Sequence, residues 1–291
     1  MSTYTLNIPL YFTQDFLPER SLLSKLLSYA QSRRSGSKED IGNITGIPTG
    51  NRSGKVEAIL FYALGMGLIT ARKEEKIWSP TLTTLGELIH SEDPYLSEPL
   101  TLWLLHLMMC RRRDLTNPAR GFLDAWFTLF SDGDHRLGRC FTQQIYIDFL
   151  IERHGIKKLI SGLSGIVLRS YFEQKCFGLI RVLTQEGSTN KKLYTRCPAP
   201  SDEIFFPAYT TYFFLIWDNL FAEQRQLDLD EIDNQARLSS VLAWDKPTFS
   251  RWLLWMSDNK ILQLDRQTGG TLVLRLQSTA QIISGTFKNL I

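Results

Sequence analysis

The chain has 291 residues, 43% of them hydrophobic and 22% charged, with 33 Lys+Arg against 30 Asp+Glu and a formal net charge of +3. That is ordinary globular composition: it excludes a collagen, a coiled coil and a disordered tail, and the length favours two units of ordinary size. So small a positive excess is below what a protein coating nucleic acid carries, so any contact with DNA must come from local patches.

Four cysteines (110, 140, 176, 197) fall in no CxxC spacing, and four histidines (90, 106, 135, 154) form no HxxxH or HExxH pair. No zinc site, cofactor loop or metal site is expected. The opening MSTYTLNIPLYF lacks the basic start and long apolar core of a signal peptide. The most apolar run, Phe205 to Phe221, is broken by Asp218 and is short for a bilayer, so a cytoplasmic protein with reduced thiols and no membrane partner is expected.

In chain order, Pro18-Glu19-Arg20-Ser21 opens a helix over 19–32, in which Leu22, Leu23, Leu26, Leu27 and Ala30 recur at helical spacing. A polar turn follows. Ser37 caps a short helix through Ile44, with Glu39 and Asp40 in the first turn where the helix dipole favours carboxylates. Gly46-Ile47-Pro48-Thr49-Gly50 stops it. The next helix, about 53–66, carries Val56, Ile59, Leu60, Ala63 and Leu64 on one face. Leu68 to Thr70 begins a strand, the charged run 72–76 reads as a turn, and Ile77-Trp78-Ser79 returns. Helix, helix, turn, helix and β-hairpin within about 65 residues is the winged-helix order.

From Thr83 the pattern turns helical, with a Leu100, Trp103, Leu104, Leu107, Met108 stripe, then a polar Ser131-Asp132-Gly133-Asp134 loop, then helices over 141–154 and 156–172. Residues 176–184 are more β-like, with a hairpin tip at 186–190. The opening order then recurs: an aromatic helix over 204–222, a short acidic helix over 227–235, and a third helix started by Asp245-Lys246-Pro247-Thr248, proline fitting a first helical turn. Phe249, Trp252, Leu253 and Met256 face inward, and 261–265 with 271–276 form a second hairpin. The expected fold class is mainly α with small β-hairpins (α+β), as tandem winged-helix domains joined by a helical layer: residues 1–82, a connecting region 83–175, and 176–291.

Three blocks, GKVEAILFYALGMGLI, TLTTLGELIHSEDPYLSEPLTLWLLHLMM and DKPTFSRWLLWMSDNKIL, carry a resemblance to a bacterial family, domain-of-unknown-function family 4007. The likeness spans most of the chain; FTQDFLPER departs from the family's glycine- and phenylalanine-rich opening. The resemblance implies no enzymatic activity, a setting in phage defence and DNA phosphorothioation, and a phosphoadenosine-phosphosulfate-reductase-like protein as partner.

The residues themselves offer two surfaces for double-stranded DNA. Arg52, Ser53 and Lys55 open the third helix, where side chains and free N–H groups meet phosphates, and Arg72, Lys73 and Lys76 lie in the first hairpin. Residues 31–76 hold eight Lys+Arg against five Asp+Glu. The outward face of that helix, however, is expected to carry Ala58, Phe61, Tyr62 and Gly65, which suits packing or a protein surface better than base edges. The second surface comprises Lys246, Thr248, Ser250 and Arg251 with Lys260, Arg266 and Arg275 of the second hairpin, although residues 205–235 nearby hold six acids against one arginine.

Other features point to structure. Arg111-Arg112-Arg113 is expected as a solvated helix end, His106 as a hydrogen-bonded core histidine, and Asp132 with Asp134 as a loop short of the ligands a cation needs. The sequence thus leads to a non-enzymatic DNA-binding adaptor, with a protein-interaction scaffold as the alternative, and leaves self-association open.

Overall fold

The computed structural model describes residues 6–49, 54–117, 119–155, 158–187, 192–222, 224–267 and 270–288. In chain order the elements are α1 (Arg20–Gln31), α2 (Lys38–Thr45), α3 (Lys55–Gly65), β1 (Ile69–Glu74), β2 (Ile77–Leu82), α4 (Thr84–Glu92), α5 (Pro99–Met109) and α6 (Asp124–Trp126), which runs into a π-helical turn over Phe127–Ser131. There follow α7 (Asp134–Leu137), β3 (Cys140–Thr142), α8 (Gln143–His154), α9 (Ile160–Arg169), β4 (Leu183–Glu186) and β5 (Leu193–Arg196). The chain continues with α10 (Phe206–Phe221), β6 (Gln226–Asp228), α11 (Leu229–Ala236), α12 (Leu238–Leu242), α13 (Lys246–Asp258), β7 (Leu262–Gln267), β8 (Gly270–Arg275) and α14 (Thr279–Ser284). The class is α+β, with small antiparallel sheets of two or three strands. No helix among the described residues is long and apolar enough to cross a membrane.

Contacts divide the chain into two compact units, Met1–Met109 with Leu150–Arg181, and Cys110–Phe149 with Val182–Ile291. The stretch 83–175, expected as a connecting region, contributes to both.

In the first unit the sequence cues operate as physical chemistry requires. The Ser37 hydroxyl accepts from the Asp40 N–H while the Asp40 carboxylate accepts from the Ser37 N–H, a capping box that starts α2; Gly46, at φ +67°, ends it in a left-handed turn. Thr83 caps α4 through the Gly86 N–H at 3.0 Å. β1 and β2 pair antiparallel from Ile69↔Leu82 to Glu74↔Ile77. Arg72, Lys73 and Glu74 therefore belong to a strand, and only Glu75-Lys76 makes the turn expected over the whole charged run; cross-strand pairing to Ser79, Trp78 and Ile77 outweighs the turn-like composition. On the other side of β2, Gly36 exchanges both backbone hydrogen bonds with Trp78.

The second unit repeats this plan with one extra short helix. α10 is followed by β6, α11, α12, α13 and the β7–β8 hairpin, and β6 pairs with β8, so the short first strand again lies beside the hairpin's second strand. A separate sheet has the order β3-β5-β4. The three-residue strands β3 and β6 carry too little alternation to be read from sequence; their partners in β5 and β8 define them. The β-like stretch from Cys176 is a series of turns, and strand begins only at Leu183.

Candidate nucleic-acid interface

Helix α3 would be the groove-entering helix of the first unit, and it is buried almost all round. Val56, Ala58, Ile59, Leu60, Tyr62 and Ala63 are inaccessible and Phe61 is half-buried. The expected outward face is therefore not a surface. The covering comes from the segment before α1. Phe12 packs edge-on against Phe61 and Tyr62, with ring centroids 5.9 and 4.8 Å apart, and the Tyr62 hydroxyl donates to the Phe16 carbonyl at 3.0 Å. At the start of α3 the Gln14 side chain lies so close to Gly54 that a Cβ there would be 2.0 Å from its amide nitrogen. Lys55 turns inward to Glu19 at 3.2 Å, its ammonium 5.8 Å from the Phe16 ring centre. Arg52 and Ser53 lie outside the described residues.

The first hairpin is more open. Arg72 and Lys76 are exposed, whereas Lys73 pairs with Glu57 at 2.8 Å and lies over the buried Trp78 ring at 4.6 Å. Between α2, α3 and the hairpin is a cleft of about 460 Å³, whose lining of Lys38, Lys73, Lys76, Glu39, Glu57 and Glu75 has no net charge.

In the second unit α13 has the outward face that α3 lacks. Phe249, Trp252, Leu253 and Met256 are buried, as their spacing implied, while Lys246, Ser250, Arg251 and Leu254 are exposed. The Asp245 side chain accepts from the Thr248 N–H at 2.9 Å, and the hydrogen bonds from Thr248 hold the Asp245 carboxyl below its ordinary range. A carboxylate thus occupies the helix start. Arg251 donates to the Ser201 carbonyl, and Arg266 on β7 is exposed. Arg275, expected on the hairpin surface, instead pairs with Asp218 at 2.5 Å and covers the Phe214 ring at 4.6 Å.

The arginine run is also not the solvated helix end expected. Arg111 and Arg112 are buried. Arg111 lies 3.7 Å from the Phe122 ring centre, and burial lowers its pKa to about 9. Arg112 donates to the backbone and side-chain oxygens of Gln235. A third buried arginine, Arg196, donates to the Phe130 and Ser240 carbonyls at 2.6 Å each and pairs with Asp134 at 3.1 Å. No local sequence signal announces the burial of Arg112 and Arg196, because these side-chain hydrogen-bond and ion-pair partners are more than 40 positions away.

The charge balance of the units follows. The first has sixteen Lys+Arg against thirteen Asp+Glu; the second has seventeen of each, and three of its cations are buried. The first unit is therefore the more basic surface.

The remaining candidates are structural. Asp132 pairs with Arg237 at 3.4 Å and Asp134 with Arg196, so the SDGD loop serves arginines. His106 is buried, with Nδ1 2.7 Å from the Tyr171 hydroxyl, in keeping with a hydrogen-bonded core histidine. Burial, with Glu19 nearby, pushes the Cys176 thiol up to about 12. Among the described residues no three His, Cys, Asp or Glu gather as metal ligands.

No family model matches the chain, and no curated protein matches it. Solved structures do. An SspB crystal structure aligns with a TM-score of 0.72 at 14% identity, covering 96% of this chain and 87% of that one. A magnesium-ion-bound SspB crystal structure aligns at 0.71 with the same identity and coverage. This chain therefore has the overall fold of SspB.

Proposed function

We propose that this chain is a DNA-contacting adaptor of a bacterial DNA-modification or phage-defence system linked to phosphorothioation, itself without a catalytic role, built on two winged-helix modules and working beside a phosphoadenosine-phosphosulfate-reductase-like enzyme. The observation that supports the reading is a plan found in both units, in which a short extended segment pairs with the second strand of the hairpin that ends the helical run. We read that plan as winged-helix, with α12 as an insertion; in the second unit the last helix before the hairpin, α13, keeps Lys246, Ser250 and Arg251 exposed, and Arg266 is exposed on β7. The resemblance to family 4007 and the fold shared with SspB support the setting.

The test is duplex binding followed by fluorescence anisotropy at low and at physiological salt, comparing the wild type with Lys246→Glu plus Arg251→Glu. Binding that weakens steeply with salt and is lost in the variant supports the reading; absence of wild-type binding at low salt refutes it.

A second reading is a scaffold that holds a protein through the same helix. Ile204 and Leu254 are exposed at 44% and 45%, and Asp202, Glu203, Asp245 and Asp258 are exposed on and beside α13. Apolar groups amid acids suit a protein better than a phosphate backbone. Co-purification of the reductase-like protein with the wild type and not with Leu254→Glu would favour this reading.

A further inference from the structure

In the first unit α3 is covered, yet one sheet face is open. Strand alternation turns Ile69, Ala71, Trp78 and Pro80 inward, and leaves Thr70 and Arg72 of β1, with Ser79 and Thr81 of β2, on the solvent side. Thr70 is opposite Thr81, their hydroxyls 2.9 Å apart, and Arg72 is opposite Ser79. Beyond β2, the Ser35 hydroxyl meets that of Ser79 at 2.7 Å. Arg33, in a left-handed conformation at φ +52°, shares with Thr81 a recess of about 220 Å³ that also touches Gln31 and Glu87.

Two rows therefore cross the sheet, Ser35–Ser79–Arg72 and Arg33–Thr81–Thr70, placing four hydroxyls between two guanidinium groups at opposite corners. Along β1 and β2 the rows are two residues apart, roughly 7 Å by strand geometry. Lys38, Lys55 and Lys73 of this unit are each paired with a glutamate. Arg33 and Arg72 are exposed and have no ion pair among the described residues.

We infer that this sheet face binds the sugar–phosphate backbone of DNA. Guanidinium forks match phosphate oxygens in pairs, and serine and threonine hydroxyls are common phosphate partners. Strand positions hold Thr70, Ser79 and Thr81, and the Ser35–Ser79 and Thr70–Thr81 hydroxyl contacts leave these short groups little freedom to lose. The two arginines are far enough apart to engage different phosphates. Neither row carries an aromatic ring to stack on a base or an amide side chain to read one, so the two rows suit the backbone rather than base edges. Glu74 at the hairpin edge and Glu87 in the recess bound the face.

The inference rests on the DNA reading above but uses residues distinct from those on α13, so the two can fail separately. Anisotropy is measured with two duplexes of unrelated sequence over a series of salt concentrations, for the wild type, Arg33→Gln plus Arg72→Gln, Arg72→Lys, and Lys246→Glu plus Arg251→Glu. Loss of two phosphate contacts makes the slope of log affinity against log salt shallower by roughly 1.8, equally for both duplexes. Arg72→Lys keeps the charge and most of the slope. An unchanged slope in the double glutamine variant, with binding lost in the Lys246/Arg251 variant, overturns this inference and leaves the general reading standing. No wild-type binding at low salt overturns both. Polyglutamate that binds the wild type and loses affinity in Arg33→Gln plus Arg72→Gln, while the duplex slope of that variant is unchanged, identifies the face as a site for acidic protein and also overturns the inference.

Discussion

Whether α3 is closed to DNA depends on the segment before α1, and Phe12→Ala tests that directly. Phe12 is 6% exposed and stacks edge-on with two rings of α3. Truncating a buried phenylalanine removes its transfer free energy and leaves a cavity, about 3–5 kcal/mol together, a figure that already contains the ring–ring contribution of about 0.5–1.5 kcal/mol per pair. Against a total stability of about 5–15 kcal/mol this is a large fraction. Urea unfolding followed by far-UV circular dichroism and by tryptophan emission should show an early transition displaced to lower urea. Trp78, 1% exposed and 5.5 Å from the Phe61 ring centre, reports on this unit. A change below about 1 kcal/mol, within the range of ordinary surface substitutions, would mean that the segment is not docked and that α3 is open.

Gly86→Ala should destabilise the protein, although alanine is favoured over glycine in a helix by about 1 kcal/mol; its Cβ would fall 1.9 Å from the Leu68 carbonyl oxygen, which is backbone and cannot swing away, and a raised melting temperature would refute this. Asp245 has a folded-state pKa below the usual 3.8, so its stabilising effect is present above that pH and lost as pH falls through the lower folded value; melting temperatures across that acid range should fall less steeply in Asp245→Asn than in the wild type. Alkylation at pH 8 with peptide mapping should modify exposed Cys140 first and leave buried Cys110 and Cys176 protected until unfolding, since a thiol with a pKa of about 12 holds almost no thiolate there. Arg196→Leu should lower stability by about 2–5 kcal/mol by leaving the Phe130 and Ser240 carbonyls without their charged donor, measured by urea midpoint; an unchanged midpoint would show that water satisfies those carbonyls.

The sequence by itself determined what is local. The spacing of Leu22, Leu26 and Ala30 sets α1, the Ser37/Asp40 pair starts α2, and Asp245 with Pro247 starts α13, because caps and apolar stripes act within a few residues. The inward face of α13 was legible for the same reason. Availability was not legible. Helical geometry gave α3 an outer face, but only the return of Phe12, Gln14 and Glu19 onto that helix closes it, and those contacts span 36 to 50 positions. Arg111 and Arg112 look solvated in sequence and are buried in the fold; Arg33 and Arg72, 39 positions apart in the chain, share one sheet face because β2 pairs on both sides. A charge can be counted from sequence, but whether it faces water, a glutamate or a ring is decided by long-range packing.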